Sequence, residues 1–121
     1  MKKIIIIDDE IAILEMLEKF LKRSEKFEIV TFFESKKALE HIKSNSYDLV
    51  LLDIMMPEFS GIDILEEIKG THTNIKTIMM TAYSTIDKVI DCKKLGADDY
   101  VTKPFVSLRD IENKILDNLK L

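Results

Sequence analysis

One cysteine, two prolines, three glycines and no tryptophan are found among 121 residues, and each shortage excludes something. Cys92 alone supports neither a disulfide framework nor a cysteine-based zinc site, so a reducing, intracellular setting is the economical reading and its role is packing or none. No Gly-rich phosphate loop follows any of the apolar runs, which removes the usual sequence mark of a nucleotide or flavin binder. No apolar run approaches the ~20 residues of a membrane span. Lys and Arg number 18 against 22 Asp and Glu, a net charge of −4. A general nucleic-acid binder needs a basic surplus gathered on one face, so direct nucleic-acid binding by this chain is not expected. The start MKKIIIIDDE carries two lysines, but only four apolar residues follow before Asp8, Asp9 and Glu10, too few for a secretory leader. The expectation is a soluble, cytoplasmic protein without a membrane segment.

The abundant features are apolar runs and a regular alternation. Short runs at residues 4–7, 27–33, 49–52, 75–80 and 100–101 alternate with stretches of helical period. Helical spacing places Ile13, Leu17, Phe20 and Leu21 after the first run, with Met16 and Ala12 on one flank. Ala38, Leu39 and Ile42 follow the second; Ile62, Leu65 and Ile68 follow the third, up to Gly70. Ile86, Val89, Ile90 and Leu95 follow the fourth, up to Gly96, and Leu108, Ile111, Ile115, Leu116 and Leu119 follow the fifth. Five strand–helix units imply a parallel sheet with helices on both faces, because crossovers between parallel strands are right-handed. The runs at 4–7 and 49–52 are the most continuously apolar and should be central, whereas 27–33 carries Glu28 and Thr31 and suits an edge. The fold class is therefore α/β, a flavodoxin-like (βα)5 open parallel sheet of order 2-1-3-4-5, one domain over residues 1–121. The length fits either a stand-alone domain or one excised from a longer protein.

Ligands of open α/β sheets bind beyond the carboxyl ends of the strands. The first strand delivers Asp8 and Asp9 there, the third Asp53, the fourth Thr81 and the fifth Lys103. Asp8 or Asp9 alone has an ordinary explanation as the cap of the following helix; five such ends together do not. Clustered carboxylates raise one another's pKa unless a cation is present. All-oxygen ligands suit Mg²⁺, which commonly bridges carboxylates to phosphate oxygens. With Lys103 as a second cation and Thr81 as a donor, the set describes a phosphoryl-transfer site. Glu10 reads as a helix N-terminal charge. His41 and His72 lie off the strand ends and read as surface residues.

The segments IIIIDDE, DLVLLDIMMPEFSG, MTAYS and GADDYVTKPF, in this order and spacing, resemble the receiver domain of two-component response regulators, including the single-domain chemotaxis and sporulation type. The resemblance covers essentially the whole chain. It implies that Asp53 accepts a phosphoryl group from a phosphohistidine of a sensor histidine kinase or phosphotransfer protein. It further implies that Asp9, Asp53 and the backbone carbonyl of Met55 hold Mg²⁺, with Asp8 acting through a metal-bound water. Lys103, the Thr81 hydroxyl and the backbone N–H of Ala82 would meet the phosphoryl oxygens, and Thr81 and Tyr100 would form the conformational switch. The ordinary reading of Tyr100 is an edge-strand aromatic lying on a helix. Lys103-Pro104 would be a cis peptide, and Pro57 and Gly61 bracket a turn. Ser60 departs from the aspartate often found before that glycine. Met55 and Tyr83 stand where the family tunes hydrolysis of the phosphoryl group, and neither can position a water well, so slow self-hydrolysis is expected.

The implied protein is a signalling switch that catalyses its own phosphorylation and slow dephosphorylation, not a turnover enzyme. It would control a downstream protein effector or a C-terminal output domain through its fourth helix, fifth strand and fifth helix. A Mg²⁺-dependent phosphohydrolase is the nearest alternative in chemistry, but it usually carries a second acid two residues after its nucleophile, where Met55 stands here. A degenerate receiver acting as a constitutive interaction module would lack site residues, and all five are present.

Overall fold

The computed structural model describes residues 1–71 and 74–120; the expectation for His72 falls outside them. Five strands, β1 (Lys2–Ile7), β2 (Phe27–Phe32), β3 (Leu49–Asp53), β4 (Lys76–Ala82) and β5 (Asp99–Lys103), alternate with helices α1 (Ile11–Lys22), α2 (Ser35–Lys43), α3 (Gly61–Thr71), α4 (Lys88–Lys94) and α5 (Leu108–Leu119). All strand pairs are parallel and their order is β2-β1-β3-β4-β5. The expected flavodoxin-like α/β architecture is thus observed, with β1 and β3 central and β2 at an edge.

The four consecutive isoleucines are divided by the pleat, because successive side chains of a strand point to opposite faces. Ile5 and Ile7 pack with Val50, Leu52 and Met79 against Ala38 and Ile42 of α2, Ile64, Leu65 and Ile68 of α3, and Val89 and Cys92 of α4. Ile4 and Ile6 pack with Leu49, Leu51, Ile78 and Met80 against Leu14, Leu17 and Leu21 of α1 and Ile111 and Ile115 of α5. A strand buried on both faces has no polar alternation to show. That is why β1 and β3 read as unbroken apolar runs.

Several expectations shift. The strands extend beyond their apolar cores, since ladder pairing continues through polar residues at the ends: β4 reaches Ala82 and β5 reaches Lys103, which pair with each other. On α1 the fully buried residues are Leu14, Leu17 and Leu21, while Ile13 and Phe20 pack only partly at the margin. On α4 the sheet-facing residues are Val89 and Cys92; Ile86 precedes the helix and Ile90 is 62% exposed. A 3₁₀ turn, Tyr83–Thr85, separates β4 from α4. Helix α3 runs through Gly70 to Thr71. His41 is partly buried rather than fully exposed, with Nε2 2.6 Å from the Tyr47 hydroxyl and its ring 4.8 Å from that of Phe32.

Candidate functional site

The carboxyl ends of β1, β3, β4 and β5 come together because the ladders hold them in register: Ile7 lies opposite Leu52, Asp53 opposite Met80, and Ala82 opposite Lys103. Asp8 and Asp53 are buried, Asp9 is exposed, and a carboxylate oxygen of each lies within 4.8 Å of those of the other two. The Lys103 ammonium donates to Asp8 Oδ2 at 2.5 Å and lies 3.5 Å from both Asp53 Oδ1 and Glu10 Oε1. Asp8 Oδ1 accepts the backbone N–H of Glu10 at 2.9 Å, so both oxygens of Asp8 are engaged. The Lys103-Pro104 peptide is cis. An open pocket of about 380 Å³ over these residues is lined by Asp9, Asp53, Met55, Ala82, Thr85 and Lys103 among others.

The electrostatics follow from placing two buried acids and one exposed acid beside one base. Burial pushes Asp53 up to about 7, with the charges of Asp8 and Asp9 adding to the rise and Lys103 opposing it. Burial likewise raises Asp8, against the stabilising bonds from Lys103 and the Glu10 N–H. For Lys103 burial favours the neutral amine, but the Asp8 bond and the charges of Asp53, Asp8 and Glu10 outweigh it and hold the ammonium above its ordinary value. Metal-free, the site carries more negative charge than its one ammonium balances. Its hard oxygen donors fit a divalent cation of the Mg²⁺ class.

The loop between β3 and α3 is fixed to this site from below. A Cβ at Gly61 would stand 2.0 Å from the Asp53 carbonyl oxygen and 2.7 Å from Ile54 Cα, so only glycine allows the start of α3 to approach so closely. The Gly61 N–H donates to the Ile54 carbonyl at 2.7 Å. Ser60 and Asp63 exchange bonds, Ser60 N–H to Asp63 Oδ2 and Asp63 N–H to Ser60 Oγ, a reciprocal cap that gives the serine a local role. Ser35 of α2 donates to the Pro57 carbonyl at 2.7 Å and accepts the Phe59 N–H, tying the loop to the neighbouring helix.

Of the residues singled out in the sequence, Asp8, Asp9, Asp53 and Lys103 are brought into one cluster, and Met55 and Ala82 line the pocket above it. Thr81 is 1% exposed, and its hydroxyl lies 2.8 Å from that of Thr85. Tyr100 is partly buried; its carbonyl accepts from Lys114, whose ammonium also lies 5.3 Å from the ring centre. Tyr83 is 69% exposed. Two participants have no sequence signal of their own. Glu10 reaches Lys103 only because the turn after β1 folds back, and Thr85 reaches Thr81 only because a 3₁₀ turn follows β4.

A five-stranded parallel sheet of this order, with acids from two central strands and a lysine from the edge strand converging at its carboxyl end, defines a receiver-like domain. The chain belongs to the response regulator receiver domain family, whose model matches residues 4–116. It is 42% identical over 104 residues to regulatory protein VanR of Enterococcus faecium, covering 85% of this chain and 44% of that protein. It is 35% identical over 115 residues to the alkaline phosphatase synthesis transcriptional regulatory protein PhoP of Bacillus subtilis, covering 94% and 47%. The chain therefore spans about half the length of the curated relatives it matches. Among solved structures, a CheY-like response regulator receiver domain protein from Methanospirillum hungatei superposes with a TM-score of 0.91 at 32% identity, covering 99% of this chain and 94% of that one.

Proposed function

We propose that the chain accepts a phosphoryl group on Asp53 from the phosphohistidine of a sensor histidine kinase or phosphotransfer protein, in a Mg²⁺-dependent step. The observation that carries this reading is the Asp53 carboxylate, buried between two further acids and 3.5 Å from the Lys103 ammonium. In the step, a carboxylate oxygen of Asp53 forms a bond to phosphorus as the P–N bond breaks, and its electron pair returns to the imidazole. Lys103 meets a phosphoryl oxygen, and the Thr81 hydroxyl with the Ala82 N–H meets another. Such a transition state asks mainly for position and charge neutralisation.

Asp9, Asp53 and the backbone carbonyl of Met55 would hold Mg²⁺. Asp8, with both oxygens already engaged, suits a role through a bound water. The ion supplies neutralisation of charge between the acids and the phosphoryl oxygens. The phosphorylated state differs from the free one through movements of Thr81 and Tyr100, and α4, β5 and α5 present that difference to a downstream effector or an attached output domain. Met55 provides no general acid or base two residues after Asp53, so the chain acts as a switch with slow self-hydrolysis. The setting is the cytoplasm; among the described residues no helix is long and apolar enough to cross a membrane.

The test is a calorimetric titration with beryllofluoride, a phosphoryl mimic, in Mg²⁺ buffer, comparing the natural chain with Asp53→Ala. Binding by the natural chain and none by the variant is expected; equal responses would defeat the assignment.

A further inference from the structure

We propose that Thr85 is a positioning residue that latches the Thr81 hydroxyl away from the phosphoryl site and so sets the balance between resting and phosphorylated states. The proposal rests on the receiver reading above. Thr81 and Thr85 hydroxyls lie 2.8 Å apart, and each lies 3.2 Å from the Ala82 carbonyl oxygen. Two hydroxyl protons and one carbonyl form a closed set: one threonine donates to the other, which donates to Ala82. In either direction both protons are used locally. Among the described residues the pocket over Asp53 is lined by Ala82, Ser84 and Thr85 on this side, while Thr81 is 1% exposed and does not line it. Thr85 thus stands in the pocket wall in front of the group that must donate to the phosphoryl oxygen.

A hydroxyl carries one proton. For Thr81 to donate into the pocket its proton must leave Thr85 or Ala82, so the closed set is broken in at least one place, at the cost of a hydrogen bond. Where Thr81 is the donor to Thr85, that bond is given up when Thr81 donates to a phosphoryl oxygen, so it biases the equilibrium toward rest by its own free energy and weakens phosphoryl binding by the same factor. Removing the Thr85 hydroxyl while keeping its shape removes the bias. Nothing in the position of Thr85 on the chain announces this, since it depends on the 3₁₀ turn that carries residue 85 back over the end of β4.

The experiment titrates beryllofluoride in Mg²⁺ buffer into the natural chain, Thr85→Val, Thr85→Ser and Asp53→Ala, with thermal melts as a folding control. Thr85→Val should bind roughly three- to tenfold more tightly, the range of one hydrogen bond's net contribution. Thr85→Ser, which restores the hydroxyl, should match the natural chain. In a Thr81→Ala background the effect of Thr85→Val should vanish, as expected only if it acts through Thr81. Unchanged or weaker binding by Thr85→Val overturns the latch, weaker binding meaning that Thr85 instead supports donation by Thr81. Should Thr85→Val fail to fold, Thr85→Ala removes the same hydroxyl and is judged by the same outcomes. If the natural chain binds and Asp53→Ala does not, while Thr85→Val equals the natural chain, the latch falls and the receiver reading stands. If the natural chain itself does not bind, both fall.

Discussion

Asp53 shows how one side chain can be costly to the fold and useful to it. Its value near 7 means that the folded chain holds a proton there which the unfolded chain, with a carboxyl near 4, releases. The folded state therefore binds the extra proton between pH ~4 and ~7, and stability from this group is retained below pH ~4 and lost as pH rises through about 7. In magnesium-free buffer Asp53→Asn should match the natural chain in Tm at pH 4 and exceed it by several degrees at pH 8. Mg²⁺ should close the gap by stabilising the natural chain only. Thermal melts across this range check both statements; a constant difference at all pH values would contradict them. Met55 and Tyr83 belong to the same scale. If poor water positioning at these two places sets the lifetime of the phosphoryl group, Met55→Asn and Tyr83→Glu should change phosphate release by severalfold, while unchanged rates would assign the lifetime elsewhere. His41 shows the limit of residue-by-residue reading: its distance from the strand ends suggests an exposed ring, but pairing with Tyr47 needs the return of the chain before β3.

At the scale of elements, the join between β3 and α3 carries the tightest constraint. Gly61→Ala would drive a Cβ into backbone atoms of Asp53 and Ile54, which cannot rotate away. A loss of about 2 kcal/mol or more is expected, with slower phosphorylation because the displaced backbone is that of Asp53 itself. Gly70, near the end of the same helix, is open: a Cβ added there would meet no atom within 4 Å. Gly70→Ala should stabilise by about 0.5–1 kcal/mol through helix propensity. Denaturant unfolding of the two variants separates a steric role from a general effect of glycine replacement. Strand order and the helices' existence are legible in the sequence because continuous β-rich runs and helical periods are local signals. On α4 the count is legible only in part: Val89 faces the sheet as its spacing predicts, but the buried residue beside it is Cys92, three residues on, while Ile90 is exposed. On α1 the apolar stripe is wide enough that Ile13 and Leu14 compete, and only packing against the sheet chooses Leu14.

For the molecule as a whole, the sheet is a device for holding charge. Two faces of apolar packing fix β1 and β3 rigidly, and that rigidity keeps Asp8, Asp9 and Asp53 together despite their repulsion. The acids and the lysine are legible because strand ends can be read from the sequence and parallel topology says where they meet. The bonds that tune them are not, since Glu10 with Lys103 and Thr81 with Thr85 depend on turn geometry. The central claim is that this assembly makes Asp53 a phosphoryl acceptor. It is tested most directly by incubating the chain with acetyl phosphate and Mg²⁺ and measuring intact mass, with Asp53→Asn and a chelator as controls. The expected result is a gain of one phosphoryl group in the natural chain, abolished by the substitution and by chelation. A gain that persists in Asp53→Asn, or no gain in the natural chain, would contradict it.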